Sequence, residues 1–370
     1  MASSFPQYCG NHFINNINGI SRLRLPLSQY HTNSFRHWLA IRKIVLLFFC
    51  FLGLNSSIYA QDSSNIELFT HTPRLKKISP LPKLKGDTST INKSRLWLVA
   101  GGHAAFWVST YVALDKTWYS QYPRSSFHFF NDNSEWEQMD KFGHAWTAYN
   151  LGRISGEMWE WTGLSRKKSV IYGGLSAIAY QSIIEIQDGF SSEWGFSWGD
   201  MTANAIGAGA YIAQELGWKD QRIQIKLSYW PYDYSSDLLT RRNQLFGTSL
   251  PERMLKDYNS QTYWISMNLK SFFPQSKLPA WLNLSLGYSA DGMLGGTENT
   301  WTDKQGVYHD RTDIPRVRRF FIAPDIDLTK IKTKSKLLKT IFFAVNILKI
   351  PSPAIELNSK GKLVAHALYY

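Results

Sequence analysis

The chain has 370 residues, 41 Lys/Arg against 28 Asp/Glu and a net charge of +13, with 44% hydrophobic, 15% aromatic and 19% charged residues. That balance excludes a disordered or collagen-like polymer, and the length holds one large or two modest domains. Fifteen tryptophans and 19 tyrosines point to surfaces where apolar and wet surroundings meet, membrane surfaces included.

The first 60 residues read as an export leader. Arg36, Arg42 and Lys43 precede an apolar run over 44–54 that is too short to span a bilayer comfortably, and Ala60 before Gln61 gives a cleavage position. The stretch ahead of Arg36 is long for a leader, and an uncleaved anchor is the competing reading. Cys50 lacks the small residues that a lipidation site needs just before its Cys. Cys9 and Cys50 both leave with the leader, so the mature chain has no disulfide framework and no thiol chemistry. Residues 1–60 hold five Lys/Arg and no Asp/Glu, so the remainder carries +8. Nucleic acid is a poor partner for an exported protein. Membrane lipid or envelope components are the natural ones, set against the plainer reading of a solvated basic face.

Residues 61–93, rich in Ser, Thr, Pro and Lys, predict a linker. An apolar run over 96–114 follows, close to membrane-spanning length but interrupted by Gly101, Gly102 and His103. After a loop at 118–137, helices are expected at 138–161, 168–187 and 199–216. Each carries one polar stripe: Asp140 and His144, then Gln181, Glu185 and Asp188, then Asp200, Asn204 and Gly207. Small residues crowd 203–213, which lets helix backbones approach closely. Ser197 is placed to cap the last helix, and Trp194 and Trp198 suit a bundle end at a membrane surface. Together these segments predict a four-helix, partly membrane-like bundle over 94–217.

After Gly217 the period changes to two. Strands are expected at 223–229, 262–269, 282–288, 320–327 and 362–370, with an amphipathic helix at 337–348. About six strands fall short of the eight of an outer-membrane barrel. The expectation is therefore α+β, with a partly open antiparallel sheet over 218–370 packed on the bundle. Asp325 and Asp327 are expected to point outward into solvent. There is no internal repeat.

Asp140-Lys141-x-x-His144, Glu185-x-Gln187 and Ser197-x-x-Asp200-x-x-x-Asn204-x-x-Gly207 form a pattern that resembles the VanZ-like membrane proteins. The stretch 139–216 resembles the YfiM-like family of predicted periplasmic lipoproteins. Its longer exported members occur in Bacteroidetes-type bacteria, and residues 257–264 are similar to theirs. The resemblance implies an envelope location and a helical core. It implies no reaction, because the family has none established. The missing Cys at the cleavage position departs from the lipoprotein description.

Asp140, His144, Glu185 and Asp200 are the candidate catalytic residues, since a His held by a carboxylate is a general base. Lys141, Gln181, Gln187, Asp188 and Asn204 are the candidate binding residues. The same His and carboxylates can hold a divalent cation, and the sequence specifies neither metal nor cofactor. Buried polar groups on facing helices can also simply bond one another and fix packing. None of HExxH, a Gly-rich phosphate loop or CxxC is present. His103 reads as a satisfied core residue more readily than as a site member. Two functions stand: an envelope protein that binds or acts on a lipid-like or glycan-like ligand, or a non-catalytic scaffold or assembly factor. A polar cluster open at a cleft favours the first; a closed, satisfied one favours the second.

Overall fold

Helices build the first half of the described chain. A computed structural model describes residues 90–370 apart from 118, 120, 121 and 304. The expected leader, and the linker up to residue 89, lie outside the described residues. Helix α1 spans Lys93–Thr117, α2 Met139–Trp161, α3 Arg166–Gly189 and α4 Trp198–Gly217. Gly163 sits at φ +86 just past α2, where a residue without Cβ is unstrained. Ser197 caps α4, its Oγ accepting from the Asp200 amide at 3.1 Å.

Small residues set the helix spacing. A Cβ on Gly173 of α3 would lie 2.6 Å from the Gly156 nitrogen of α2, and one on Gly207 of α4 would lie 2.1 Å from the Ala145 carbonyl oxygen. The backbones therefore touch, and the polar side chains beside these glycines are drawn together. His103 on α1 bonds the Val99 carbonyl at 2.8 Å and Ser155 Oγ at 3.0 Å, so it is a satisfied core residue away from the polar stripes. Trp97, Leu98, Val108 and Val112 of α1 are exposed. Among the described residues α1 is the one helix long and apolar enough to cross a membrane.

The second half is an antiparallel sheet. Strands β1 (Ile223–Tyr229), β2 (Gln261–Asn268) and β3 (Leu282–Asp291) are followed by a small β4–β5 pair (Thr300–Thr302, Tyr308–Asp310). β6 (Val317–Ile326), β7 (Ser352–Asn358) and β8 (Leu363–Tyr369) complete the sheet, whose order is β1-β2-β3-β6-β7-β8. Helices α5 (Leu239–Phe246), α6 (Leu250–Lys256), α7 (Leu269–Phe272) and α8 (Lys336–Val345) fill the connections. After α8 the chain bridges to the free edge of β1, with the Lys349 amide donating to the Leu227 carbonyl at 2.9 Å. The protein is α+β.

The alternation has the phase opposite to a sheet in water. The inward row Gln224–Ser266–Ser285–Ala323–Ala354–His366 is polar or small, whereas the outward row Ile225–Ile265–Leu286–Ile322–Ile355–Ala365 is wholly apolar. This overturns the expectation for Asp325 and Asp327, both of which are buried. Asp325 forms an ion pair with buried Lys226 at 2.9 Å and accepts from Ser266 Oγ at 2.7 Å. Asp327 accepts from Gln224 at 2.8 Å and from Asn346 at 3.3 Å. Helix α2 covers the outer faces of β1 and β2, where Met139, Leu227, Tyr263, Ala290 and Met293 form one core. Phe142 stacks on Tyr288 at 4.7 Å.

Candidate functional site

Lys141, in the first turn of α2, is the centre of the polar cluster. Its ammonium lies 2.6 Å from Asp200 Oδ1, 2.7 Å from Asp132 Oδ1 and 3.2 Å from Asp140 Oδ2. One turn on, His144 Nδ1 lies 3.1 Å from Asn204 Oδ1. With Nδ1–H donating there, Nε2 faces Asp140 Oδ1 at 3.7 Å and Asp200 Oδ1 at 3.8 Å. Glu185 Oε1 comes within 3.7 Å of the ring from α3, and Gln181 Nε2 donates to Asn204 Oδ1 at 3.0 Å. The three stripes thus converge, because Gly207 lets α4 press against α2 at the level of Ala145.

Two predicted members stand apart. Gln187 donates to the Tyr111 carbonyl oxygen at 3.3 Å, and Asp188 accepts from Tyr119 at 2.7 Å. Both therefore face the C-terminal end of α1 and the residues just after it. The structure adds residues that the stripes did not reveal. Asp132 comes from the loop before α2 and also accepts from Ser197 Oγ at 2.6 Å. Tyr258, from the β-rich half, donates to Asp140 Oδ1 at 2.6 Å. Lys141 itself was the available signal, since a lysine on an apolar helix face needs a charge partner.

The turn feeding this site is strained. Trp136, Glu137 and Gln138 have φ of +48, +50 and +62, left-handed values that side-chain-bearing residues rarely adopt. Arg316 and Arg318 hold Glu137 at 3.0 and 2.6 Å, and Tyr288 donates to its carbonyl oxygen at 2.5 Å. The sheet thereby fixes the entry of α2, and with it Asp140 and Lys141.

Charge in the cluster is unbalanced. Burial pushes the Glu185 carboxyl up to about 9, with Asp188 and Asp140 adding to the effect. Burial, then Asp140 and Glu185, raise Asp200. Asp140 moves the other way: burial opposes its ionisation, but His144, Lys141 and the Tyr258 hydroxyl outweigh it. The site therefore keeps protons on Asp200 and Glu185 beside an ionised Asp140. Gln181 Oε1, Glu185 Oε1 and Asn204 Nδ2 are buried without a hydrogen-bond partner. Glu185 is 1% exposed and Asn204 0%, while the side chains of Asp140 and His144 are 24% and 16% exposed. The cluster is thus sealed at its base and open at its mouth. One donor atom from each of Asp140, His144 and Asp200 lies within 4.8 Å of the others, a set able to hold a divalent cation.

An α+β fold with an acid-rich centre between helices defines a class of site and leaves the family open. The stretch 128–214, which contains every helical member of this centre, matches the family model described as predicted periplasmic lipoprotein (DUF2279). The match covers less than a quarter of the chain, and its description is that of an exported envelope family. No curated protein and no solved structure matches the chain.

Proposed function

We propose that this is a membrane-associated protein of the bacterial cell envelope whose helical centre binds, or acts on, the polar part of a lipid-like or glycan-like ligand. Asp140, His144, Glu185 and Asp200 form its acid–base set, and Lys141, Gln181 and Asn204 hold the ligand. The observation that carries this reading is the set of unmatched buried polar groups, Gln181 Oε1, Glu185 Oε1 and Asn204 Nδ2, around a His144 that opens outward. Each unpaired buried polar group costs about 1–3 kcal/mol, a penalty that a ligand carrying both donors and acceptors relieves and a scaffold has no reason to keep. Hydroxyls, which donate and accept, are the groups that complement it. The description of the matched family and the exposed apolar face of α1 support the envelope and membrane setting. The finer kinship to the YfiM-like and VanZ-like proteins belongs to this proposal.

His144→Ala and Asp200→Asn test it. Loss of in-cell complementation with the melting temperature nearly unchanged supports a functional site. Parallel loss of fold and complementation favours the scaffold or assembly-factor reading. A second reading, a divalent-cation site, rests on the three close donors Asp140, His144 and Asp200. Lys141 already lies 2.6 Å from Asp200 and would have to withdraw from it. Calorimetric titration with Zn²⁺ and Mn²⁺, on the wild type and Asp200→Asn, decides that point: heat that is lost in the variant supports the cation site.

A further inference from the structure

Beyond the part that α2 covers, the outward face of the sheet is apolar and no other described residue covers it. Ile265, Leu286, Ile322 and Ile355, each between 43% and 51% exposed, are directly paired neighbours in one cross-strand row. The adjacent row continues through Phe320, Leu357 and Leu363. On β6 the outward positions from Phe320 to Ile326 rise through six residues, about 20 Å of apolar height. Inward, the same sheet buries Lys226, Asp325, Asn283, Ser285 and Glu356. Water selects the reverse arrangement, whereas a hydrocarbon solvent selects this one.

A basic rim borders the apolar face at one end. The segments 218–222, 269–281 and 327–340 lie at the same end of the sheet, beside the starts of β1 and β3 and the ends of β2 and β6. They carry nine Lys/Arg and two Asp, of which Asp327 points inward. Trp218, Phe272, Phe273 and Trp281 stand exposed among them, and Trp218 packs edge-on against Phe272 at 5.8 Å. Helix α8 presents Leu337 and Leu338 between Lys336 and Lys339. A basic, aromatic rim next to an apolar belt matches the order of anionic headgroups and acyl chains in a leaflet.

We infer that the outer face of β3, β6, β7 and β8 lies against lipid acyl chains, with the rim formed by 218–222, 269–281 and 327–340 at the level of anionic headgroups. This assigns a lipid-facing surface in the β-rich half, and it stands independently of what the polar centre of the bundle does.

The test uses the full chain with Cys9→Ser and Cys50→Ser, reconstituted into phosphatidylcholine vesicles containing a quarter phosphatidylglycerol. Single cysteines at Ile322, Ile355 and, as a turn control, Lys360 carry an environment-sensitive fluorophore. Brominated acyl chains should quench the Ile322 and Ile355 probes severalfold more than the Lys360 probe, with blue-shifted emission. Lys332→Glu combined with Lys334→Glu should weaken capture by anionic vesicles several-fold and leave melting in detergent unchanged. Aqueous iodide reaching the Ile322 and Ile355 probes, without quenching by bromine, overturns the inference. So does a blue-shifted probe that bromine leaves unquenched and that cross-links to a second copy or another protein. Neither result bears on ligand binding at His144, so failure here and failure of the proposed function are separable.

Discussion

Replacing Lys141 by Met removes the one lysine of the polar cluster and leaves its size nearly intact. Its contacts with Asp132 at 2.7 Å and with ionised Asp140 at 3.2 Å are each worth about 5–6 kcal/mol gross at an effective dielectric of about 20. Desolvation of the buried ions offsets several kcal/mol of that, so the net loss is about 3–5 kcal/mol, the usual range for stranding a buried partner. For a protein of this size that is a fall in melting temperature on the order of 10 °C. Burial opposes the charge on Lys141, but Asp140 and Asp200 outweigh it and hold its pKa above the ordinary lysine value. A raised lysine keeps its full contribution below about pH 10.4, so below that the pH dependence of the loss belongs to the carboxylates. In the variant Asp140 loses one of the charges that hold its carboxyl down, so it takes up a proton at a higher pH than in the wild type and the penalty for lacking Lys141 shrinks in acid. Thermal melts followed by tryptophan emission at about pH 8 and about pH 4.5 read both effects. A loss under about 1 kcal/mol at the higher pH, as for an exposed pair, refutes the reasoning. So does the same loss at both values.

Asp200 and Glu185 keep protons in the folded state at pH values where the unfolded chain has released them. Wild-type stability should therefore fall as pH rises from about 4 toward the folded values, and Asp200→Asn should flatten that slope; equal slopes from about pH 5 to 9 rule it out. For Glu137, burial opposes ionisation, but Arg318 and Arg316 outweigh it and hold the carboxyl below its usual value. Its contribution is present above about pH 4.3 and disappears as pH falls through the folded value, so Glu137→Gln should cost about 1 kcal/mol at neutral pH after solvent screening and nothing in acid. Gly207→Ala drives a Cβ to 2.1 Å from the Ala145 carbonyl oxygen and should cost about 1–3 kcal/mol or more. Gly209→Ala meets nothing within 4 Å and should be neutral or stabilising by up to about 1 kcal/mol, so equal losses in the two denaturation curves contradict the close helix contact.

The helices of the centre were legible because polar residues at i and i+4 stood out against Ala, Gly and aromatics, and glycines and Ser197 marked their ends. Expected bounds of 138–161, 168–187 and 199–216 stand within two residues of those observed. Asp132 and Tyr258 were not legible, since a loop and the distant β-rich half deliver them and no local period marks either. In the sheet the period of two was read correctly but its phase was reversed at Asp325 and Asp327. Alternation has amplitude and no sign: it says that two faces differ, and the medium outside decides which one turns inward. Strand β7 escaped because Pro353 interrupts it and its apolar residues, Ile355 and Leu357, point outward.

The sheet interior also serves as an internal control for the bundle centre. Both bury charge, so burial alone does not mark function. Around Lys226 the network closes on itself: its ammonium reaches Asp325, Asn346 and the Ile326 carbonyl oxygen, and Gln224, Asn346 and Asp327 satisfy one another. Ser285 Oγ is the one unpartnered side-chain atom on the inward face of the described strands. Around Lys141 the same chain leaves Gln181 Oε1, Glu185 Oε1 and Asn204 Nδ2 unmatched, beside a partly exposed His144. The proposed ligand would complete the second network, whereas the first is almost complete without one. That difference carries the functional reading of Asp140, His144, Glu185 and Asp200, and stability measurements on Lys226→Met beside Lys141→Met compare the two networks directly.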